Sequence, residues 1–475
     1  MTPPSLPRTV RVAALLAVTA CGSRTGLDLV EISSPSRDAS LPRVIDSGVD
    51  ARPHKVDAAL HDTGTTVDAE AGADAGRFVI CPSAILAGSP LPMLGNCSTR
   101  DGRARVLGPT SPHLTWTTPA PAALAIGGFV AADATGGVYL AAAPIEGTAP
   151  IPTFGRVDGT TGNVDWSVAL PASTVASLSP FLDPSGTILD VANTATGPVI
   201  EAFDPATGAV MGTPLAASLA DIGIPAVGSE GSLYVQYVTE VGMSSQQGIV
   251  SRLLPDRTVA WTTKNLSVGP TAFGGFLTLA LGHRDVVVAV TTDTTGSLSI
   301  VYALSSETGA TIWSTDIHAQ AVNGPVIGPD GSIAVVALDA VDPSSGLLYI
   351  LEPTGSVRAT TTVPGQNVFA IGVDGTIIIG GEGMTAVSAT GTILWTNTVG
   401  LVLGATIDAA GTVVATFEGS VFGFDLSTGA TLWSLQPPAV PSDSGPPCRG
   451  IQSTTLTSSA GLVGIGCGVL FGASD

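Results

Sequence analysis

Aromatic side chains make up only 5% of this 475-residue chain, which contains six tryptophans and five cysteines. Scarcity of that kind excludes several functions at once. No two cysteines are neighbours, and none forms a C-x-x-C or C-x-x-C-H unit, so thiol redox, zinc-ribbon and c-type haem chemistry lack their ligands. No phosphate-binding loop or Rossmann fingerprint follows a strand, and no G-x-S-x-G elbow is present. The five histidines are scattered at 54, 61, 113, 283 and 318. Helical periodicity over ten or more residues is hard to find beyond the N-terminus, which argues against a helical solenoid. The longest apolar stretch near the start, Val12 to Ala20, is too short to span a bilayer, which takes about 20 residues. Positive charge is also scarce. From Val106 onward there are 7 Arg or Lys against 27 Asp or Glu, so 7 − 27 = −20 accounts for the whole formal net charge. Such an acidic body disfavours nucleic acid and anionic headgroups as partners, and it suits solubility in a chain of positive mean hydropathy.

The few tryptophans fall in a pattern. Four of them end the phrase Gly-x-x-x-Trp, at Gly162 to Trp166, Gly309 to Trp313, Gly391 to Trp395 and Gly429 to Trp433. Adding Trp116 and Trp261, with Gly212 and Ala359 standing in degenerate copies, gives eight positions. A second phrase, a Gly turn followed by β-formers, is counted independently. It starts at Gly137, Gly186, Gly231, Gly331, Gly375, Gly411 and Gly461, with a weaker copy at Asp285 to Val288. That is again eight, interleaved with the first set. Short strands joined by Gly, Asp and Asn turns, four to a unit and eight units long, predict an all-β, eight-bladed β-propeller of four-stranded antiparallel blades. If the weak unit near Asp285 is an insertion, the count becomes seven. The last unit lacks a Trp strand, and one is available near the other end, between Ala104 and Trp116. The N-terminal strand of the ring is therefore expected to close the last blade, removing free edges.

YALSSETGATIW (Tyr302 to Trp313) and FGFDLSTGATLW (Phe422 to Trp433) resemble the tryptophan-docking repeat of the quinoprotein-type (PQQ-like) β-propeller family, and AFDPATGAVMG (Ala202 to Gly212) keeps the Asp and the Thr-Gly turn. The resemblance implies that Trp116, Trp166, Trp261, Trp313, Trp395 and Trp433 dock neighbouring blades. The dehydrogenases of this family imply a calcium-held quinone, an adjacent-cysteine ring, a stacking Trp and a catalytic Asp. The separated cysteines and fully assigned tryptophans depart from that, so the expectation is no enzyme, no cofactor and no metal. Asp339 and Asp342 could act as a carboxylate pair on a glycan, but Pro343 to Gly346 mark a turn there.

Arg8 and Arg11 followed by Val12 to Ala20 read as an export signal, and Val18-Thr19-Ala20-Cys21-Gly22 resembles the bacterial lipoprotein signal. The resemblance implies cleavage before Cys21, a lipid on its thiol and an outer-membrane lipoprotein facing the periplasm or the cell surface. The alternative is an ordinary signal peptide with a chance Cys. Residues 21–77, rich in Asp, Ala, Ser, Thr and Pro, are expected to be a disordered acidic tether. Residues 78–103 form a small Cys-containing entry region, and 104–475 the propeller. Cys81, Cys97, Cys448 and Cys467 remain as an even set in an exported chain, expected as two disulfides. Cys81 with Cys97 and Cys448 with Cys467 is the preferred pairing of three possible, with zinc as the alternative. A lipid-anchored propeller of this repeat resembles the BamB-type lipoproteins that assist outer-membrane barrel assembly. The resemblance implies a monomeric scaffold for an envelope protein partner, with the connections Glu240 to Gln247 and Asp339 to Gly346 as contact surfaces. The other readings are a periplasmic or surface binder of a glycan or small ligand, and a quinoprotein dehydrogenase.

Overall fold

The computed structural model describes residues 100–475, except for connecting segments of which 145–152, 267–278 and 437–450 are the longest. The expected lipidation site at Cys21, the tether and all four of Cys81, Cys97, Cys448 and Cys467 lie outside the described residues.

Eight antiparallel sheets follow one another along the chain, each with four strands in the order inner, second, third, outer. Blade 4 shows the plan: Leu279–Leu281, Val287–Thr292, Ser299–Leu304 and Thr311–Ile317 pair in sequence order. Blades 5, 6 and 7 begin at Ala321, Asn367 and Val402. Blades 1, 2 and 3 carry an extra short pairing before their second strand, for example Ala131–Ala132 against Tyr139 and Val138. The weak unit near Asp285 is a full blade, so the count is eight. Among the described residues there is no helix, and so none long and apolar enough to cross a membrane.

Blade 8 is built from both ends of the described chain. Ile451–Leu456, Leu462–Gly466 and Val469–Ser474 supply three strands, and His113–Pro119 pairs with the last of them as the outer strand. The closing strand begins at His113 rather than Ala104, because residues 100–108 are used elsewhere. The Asp475 carboxylate clasps the junction, accepting the backbone N–H groups of Thr110 and Ser111 at 2.8 and 2.7 Å.

Burial explains the residue pattern within a blade. Second strands have sheets packed on both faces, so they read as continuous apolar runs: Ile333 to Ala337 are all buried. Outer strands see solvent on one side and alternate, as in Thr311–Ile317. The core lies between neighbouring blades. One cluster joins blades 4 and 5 through Val288, Val301, Ile333 and Val335. Another joins blades 8 and 1 through Leu470, Val463, Val138 and Leu140. Apolar packing therefore runs across the closure as it does elsewhere, which is what ring closure requires.

Candidate functional site: the ring axis and its two rims

Strand direction gives the ring two unlike rims. Each inner strand ends at the turn into the second strand, and each third strand ends at the turn into the outer strand. Both turns leave from the same rim. They are short and uniform, as at 328–332 and 352–356 in blade 5. The connections between second and third strands, and from one blade to the next, leave from the opposite rim. They vary in length, from the short Gly380 to Met384 connection to the separations between Thr262 and Leu279 and between Leu435 and Ile451. Glu240 to Gln247 and Asp339 to Gly346 belong to this loop rim. Within the latter, the Asp342 carboxylate accepts the Ser345 hydroxyl at 2.7 Å, so this acid holds a turn. His318, also on this rim, is exposed.

The turn rim is acidic for a local reason. Asp133, Asp183, Asp330 and Asp408 in the first kind of turn accept the N–H two residues on, and so do Asp158, Asp204 and Asp425 in the second. Side chains of this type stabilise turns by mimicking a backbone acceptor. The Thr207 hydroxyl and amide hold the Asp204 carboxyl below the ordinary carboxylate range. The Ser427 and Thr428 hydroxyls do the same for Asp425. Burial pushes the Asp133 carboxyl up, but bonds from Thr135, Tyr139 and Gly137 and the Arg156 charge outweigh it and leave it low. Positive charge is consumed locally. Among the described residues beyond 106 there are four arginines: Arg156 pairs with Asp133 and Asp165, Arg252 with Glu230, Arg257 with Asp183 and Arg358 with Asp330 and Glu352. The acids left over give the ring its charge.

Each tryptophan with a Thr-Gly turn or its Pro-Thr-Gly equivalent ahead of it makes one repeated contact. The indole N–H of Trp116 donates to Gly159 O of the next blade at 3.1 Å, and those of Trp166, Trp261, Trp313 and Trp395 donate to Pro205, Ser306, Pro353 and Leu426 at 2.8–3.0 Å. The ring itself lies on a glycine of that turn. A Cβ at Gly309, where φ is +70°, would stand 2.5 Å from Trp261 Cε3. At one of the two positions without a tryptophan the turn ahead changes too, and at the other it does not. Gly212 of blade 2 faces a turn in which Arg257 takes the glycine position with φ +69°, and its side chain reaches back to Asp183. Ala359 of blade 5 lies against Gly391, and Thr361 still donates to Gly391 O at 2.6 Å. Trp433 faces the composite blade, where the chain ends meet in place of a Thr-Gly turn. Its buried indole N–H has no acceptor among the described residues.

The axis carries a feature absent from the repeat pattern. Inner strands of adjacent blades approach one another and line the axis, and residues 100–108 lie along their turn-side ends. Asp101 O accepts Ile371 N of blade 6, and Gly102 O accepts Ile407 N of blade 7. Ala104 N donates to Ile407 O at 2.7 Å, Ala409 N to Val106 O, and Gly108 N to the Asp408 carboxylate. From the same segment the buried Arg100 side chain reaches Leu279 O of blade 4 at 2.5 Å and Pro225 O of blade 3 at 3.4 Å. The expected domain start at 104 cuts through this segment. Its inter-blade partners lie 125 residues away for Pro225 and 407 − 102 = 305 for Ile407, so only the charged Arg100-Asp101-Gly102-Arg103 run was open to notice in the sequence.

Residues 297–444 match the family model described as outer membrane protein assembly factor BamB. No curated protein matches the chain. Among solved structures, it is similar to quinohemoprotein alcohol dehydrogenase from Comamonas testosteroni, at 11% identity and TM-score 0.57, covering 82% of this chain and 81% of that one. It is also similar to a europium-containing methanol dehydrogenase, at 13% identity and TM-score 0.54, covering 82% and 98%. A third is the alcohol dehydrogenase ADHIIG from Pseudomonas putida HK5, at 11% and 0.55, covering 83% and 80%. At these identities the likeness is one of fold. It nevertheless corrects the expectation that the chain is not an enzyme, since these three solved rings are dehydrogenases and the fold does not set this chain apart from them. For a metal-held quinone, the described residues bring together no group of three His, Cys, Asp or Glu side chains able to hold the ion.

Proposed function

We propose that this PQQ-like β-propeller repeat protein is a protein-binding platform of the bacterial envelope, engaging its partner through the loop rim. The observation that carries the reading is the match of residues 297–444 to the BamB assembly-factor model. Two features of the ring support the choice of rim. The turn rim is occupied by uniform turns and by the chain's own residues 100–108, whereas the loop rim carries the variable connections, where binding surfaces concentrate on rigid scaffolds. An acidic ring whose described arginines are internally paired favours a partner surface rich in Lys and Arg. Anchoring through a lipid on Cys21, with the propeller held off the outer membrane by residues 21–77, belongs to the same proposal.

The test is affinity purification of the tagged full chain from crosslinked envelopes, beside a Cys21→Ser variant. Enrichment of barrel-assembly components with the lipidated chain, reduced when Cys21 is replaced, supports the platform. A bait that brings down no envelope protein contradicts it.

A further inference from the structure

The turn-side mouth of the ring axis is spanned by the chain itself. Main-chain bonds fix Asp101 to Ala104 on blades 6 and 7, and the Arg100 side chain extends to blades 3 and 4. Two backbone features show a fitted segment. Arg100 holds φ +56°, a region that non-glycine residues enter sparingly. Gly102, at φ +67°, sits where a Cβ would lie 2.3 Å from Phe369 O and 2.5 Å from the Ala370 Cβ, so no other residue fits without displacing blade 6. A buried cation is costly unless its donors are met. Burial pulls the Arg100 guanidinium down to about 10, which still leaves it charged at neutral pH. The acceptors of Nε and Nη2 are main-chain carbonyls, Leu279 O in the inner strand of blade 4 and Pro225 O just before Ala226–Val227 of blade 3, so this recognition follows the ring geometry. Asp101, the adjacent acid, is engaged by Arg103 at 2.5 Å.

We propose that the inner ends of blades 3 and 4 form a guanidinium seat, filled in cis by Arg100, and that Arg100 to Gly108 is a strap closing the turn-side mouth and tying blades 3 and 4 to blades 6 and 7. The seat would accept a guanidinium ion or an arginine side chain, and the strap occupies the turn-side mouth. This inference rests on the ring geometry and stands apart from the identity of any envelope partner.

The test uses full-length Arg100→Ala and Arg100→Lys proteins. The first readout is hydrogen exchange at Ile371 and Ile407, whose N–H groups donate to the strap, with Leu338, bonded to Gln320 within blade 5, as an internal reference. In Arg100→Ala, exchange at Ile371 and Ile407 is expected to rise by about tenfold or more with Leu338 unchanged, the signature of a local opening. Millimolar guanidinium chloride, against equal sodium chloride, is expected to raise the melting temperature of Arg100→Ala and not of the wild type. Arg100→Lys, which keeps the charge but not the fork, is expected to open the strap partly. If Ile371 and Ile407 stay protected in Arg100→Ala, the strap is overturned. If guanidinium stabilises wild type and variant alike, or neither, the seat is overturned.

Discussion

Five indole N–H groups meet a backbone carbonyl on the next blade, and the sixth, that of Trp433, has no acceptor among the described residues. Trp261→Phe and Trp433→Phe remove similar apolar volume, but among the described residues only the first breaks a hydrogen bond. Chemical denaturation should show Trp261→Phe to be the costlier by about 1 kcal/mol. Equal costs would mean that the indole contacts add nothing beyond area. A second contrast separates backbone strain from packing. Gly186→Ala, at φ +83° with open space around it, is expected to cost about 1 kcal/mol for the left-handed backbone alone. Gly309→Ala carries the same strain and also drives a Cβ into Trp261, so an additional 1–3 kcal/mol or so is expected by the same assay. The turn acids make a prediction in pH. Asp425 titrates below its unfolded value, so it binds protons more weakly when folded. Its stabilising contribution is complete above the ordinary carboxylate range near ~4 and is lost as pH falls through the lower folded value. Asp425→Asn should therefore lower stability at neutral pH and flatten the acid limb of the stability profile. An unchanged acid limb would remove Asp425 from this role.

At the scale of blades, the closure joins strands from both ends of the described chain, and it depends on one pairing. Without Val469–Ser474, the strand His113–Pro119 has no partner and Leu462–Gly466 is left as a bare edge. A chain truncated after residue 468 is expected to lose its cooperative melting transition and to aggregate on size exclusion. A monomer that melts as the full chain does would show that the closure is dispensable. Much of this level was legible beforehand. The Gly-x-x-x-Trp spacing marks the turn and the outer strand, and the interleaved Gly phrase marks the second strand, because both positions are set by contacts repeated in every blade. Even the degenerate unit at Asp285 appears as Val287–Thr292. Residues 100–108 were not legible as a strap. Most of their inter-blade bonds go to main-chain carbonyls and amides, with Asp408 and Thr406 adding side-chain bonds, and main-chain partners leave no mark in side-chain periodicity. The Arg257 to Asp183 pair, which joins blade 3 to blade 2, was hidden for a related reason: its partners are 74 residues apart and meet only once the blades are side by side.

For the molecule as a whole, composition and architecture share a cause. The acidic surplus gathers in turns where carboxylates are needed as acceptors, while the described arginines beyond residue 106 are spent on local pairs. The result is a ring with one uniform, acidic, strapped rim and one variable rim. The likeness to alcohol and methanol dehydrogenases is one of fold, and a fold of this kind does not by itself set the function of the chain that adopts it. The proposed engaging surface is the loop rim. The most direct measurement places a photo-crosslinking amino acid at Asp342 and Glu382 on the loop rim and at Glu307 and Thr428 on the turn rim, all exposed, in the full chain within its native envelope. The account expects a discrete crosslinked adduct with an envelope assembly protein from Asp342 or Glu382 and none from Glu307 or Thr428. Adducts confined to the turn rim, or none from either, would contradict it.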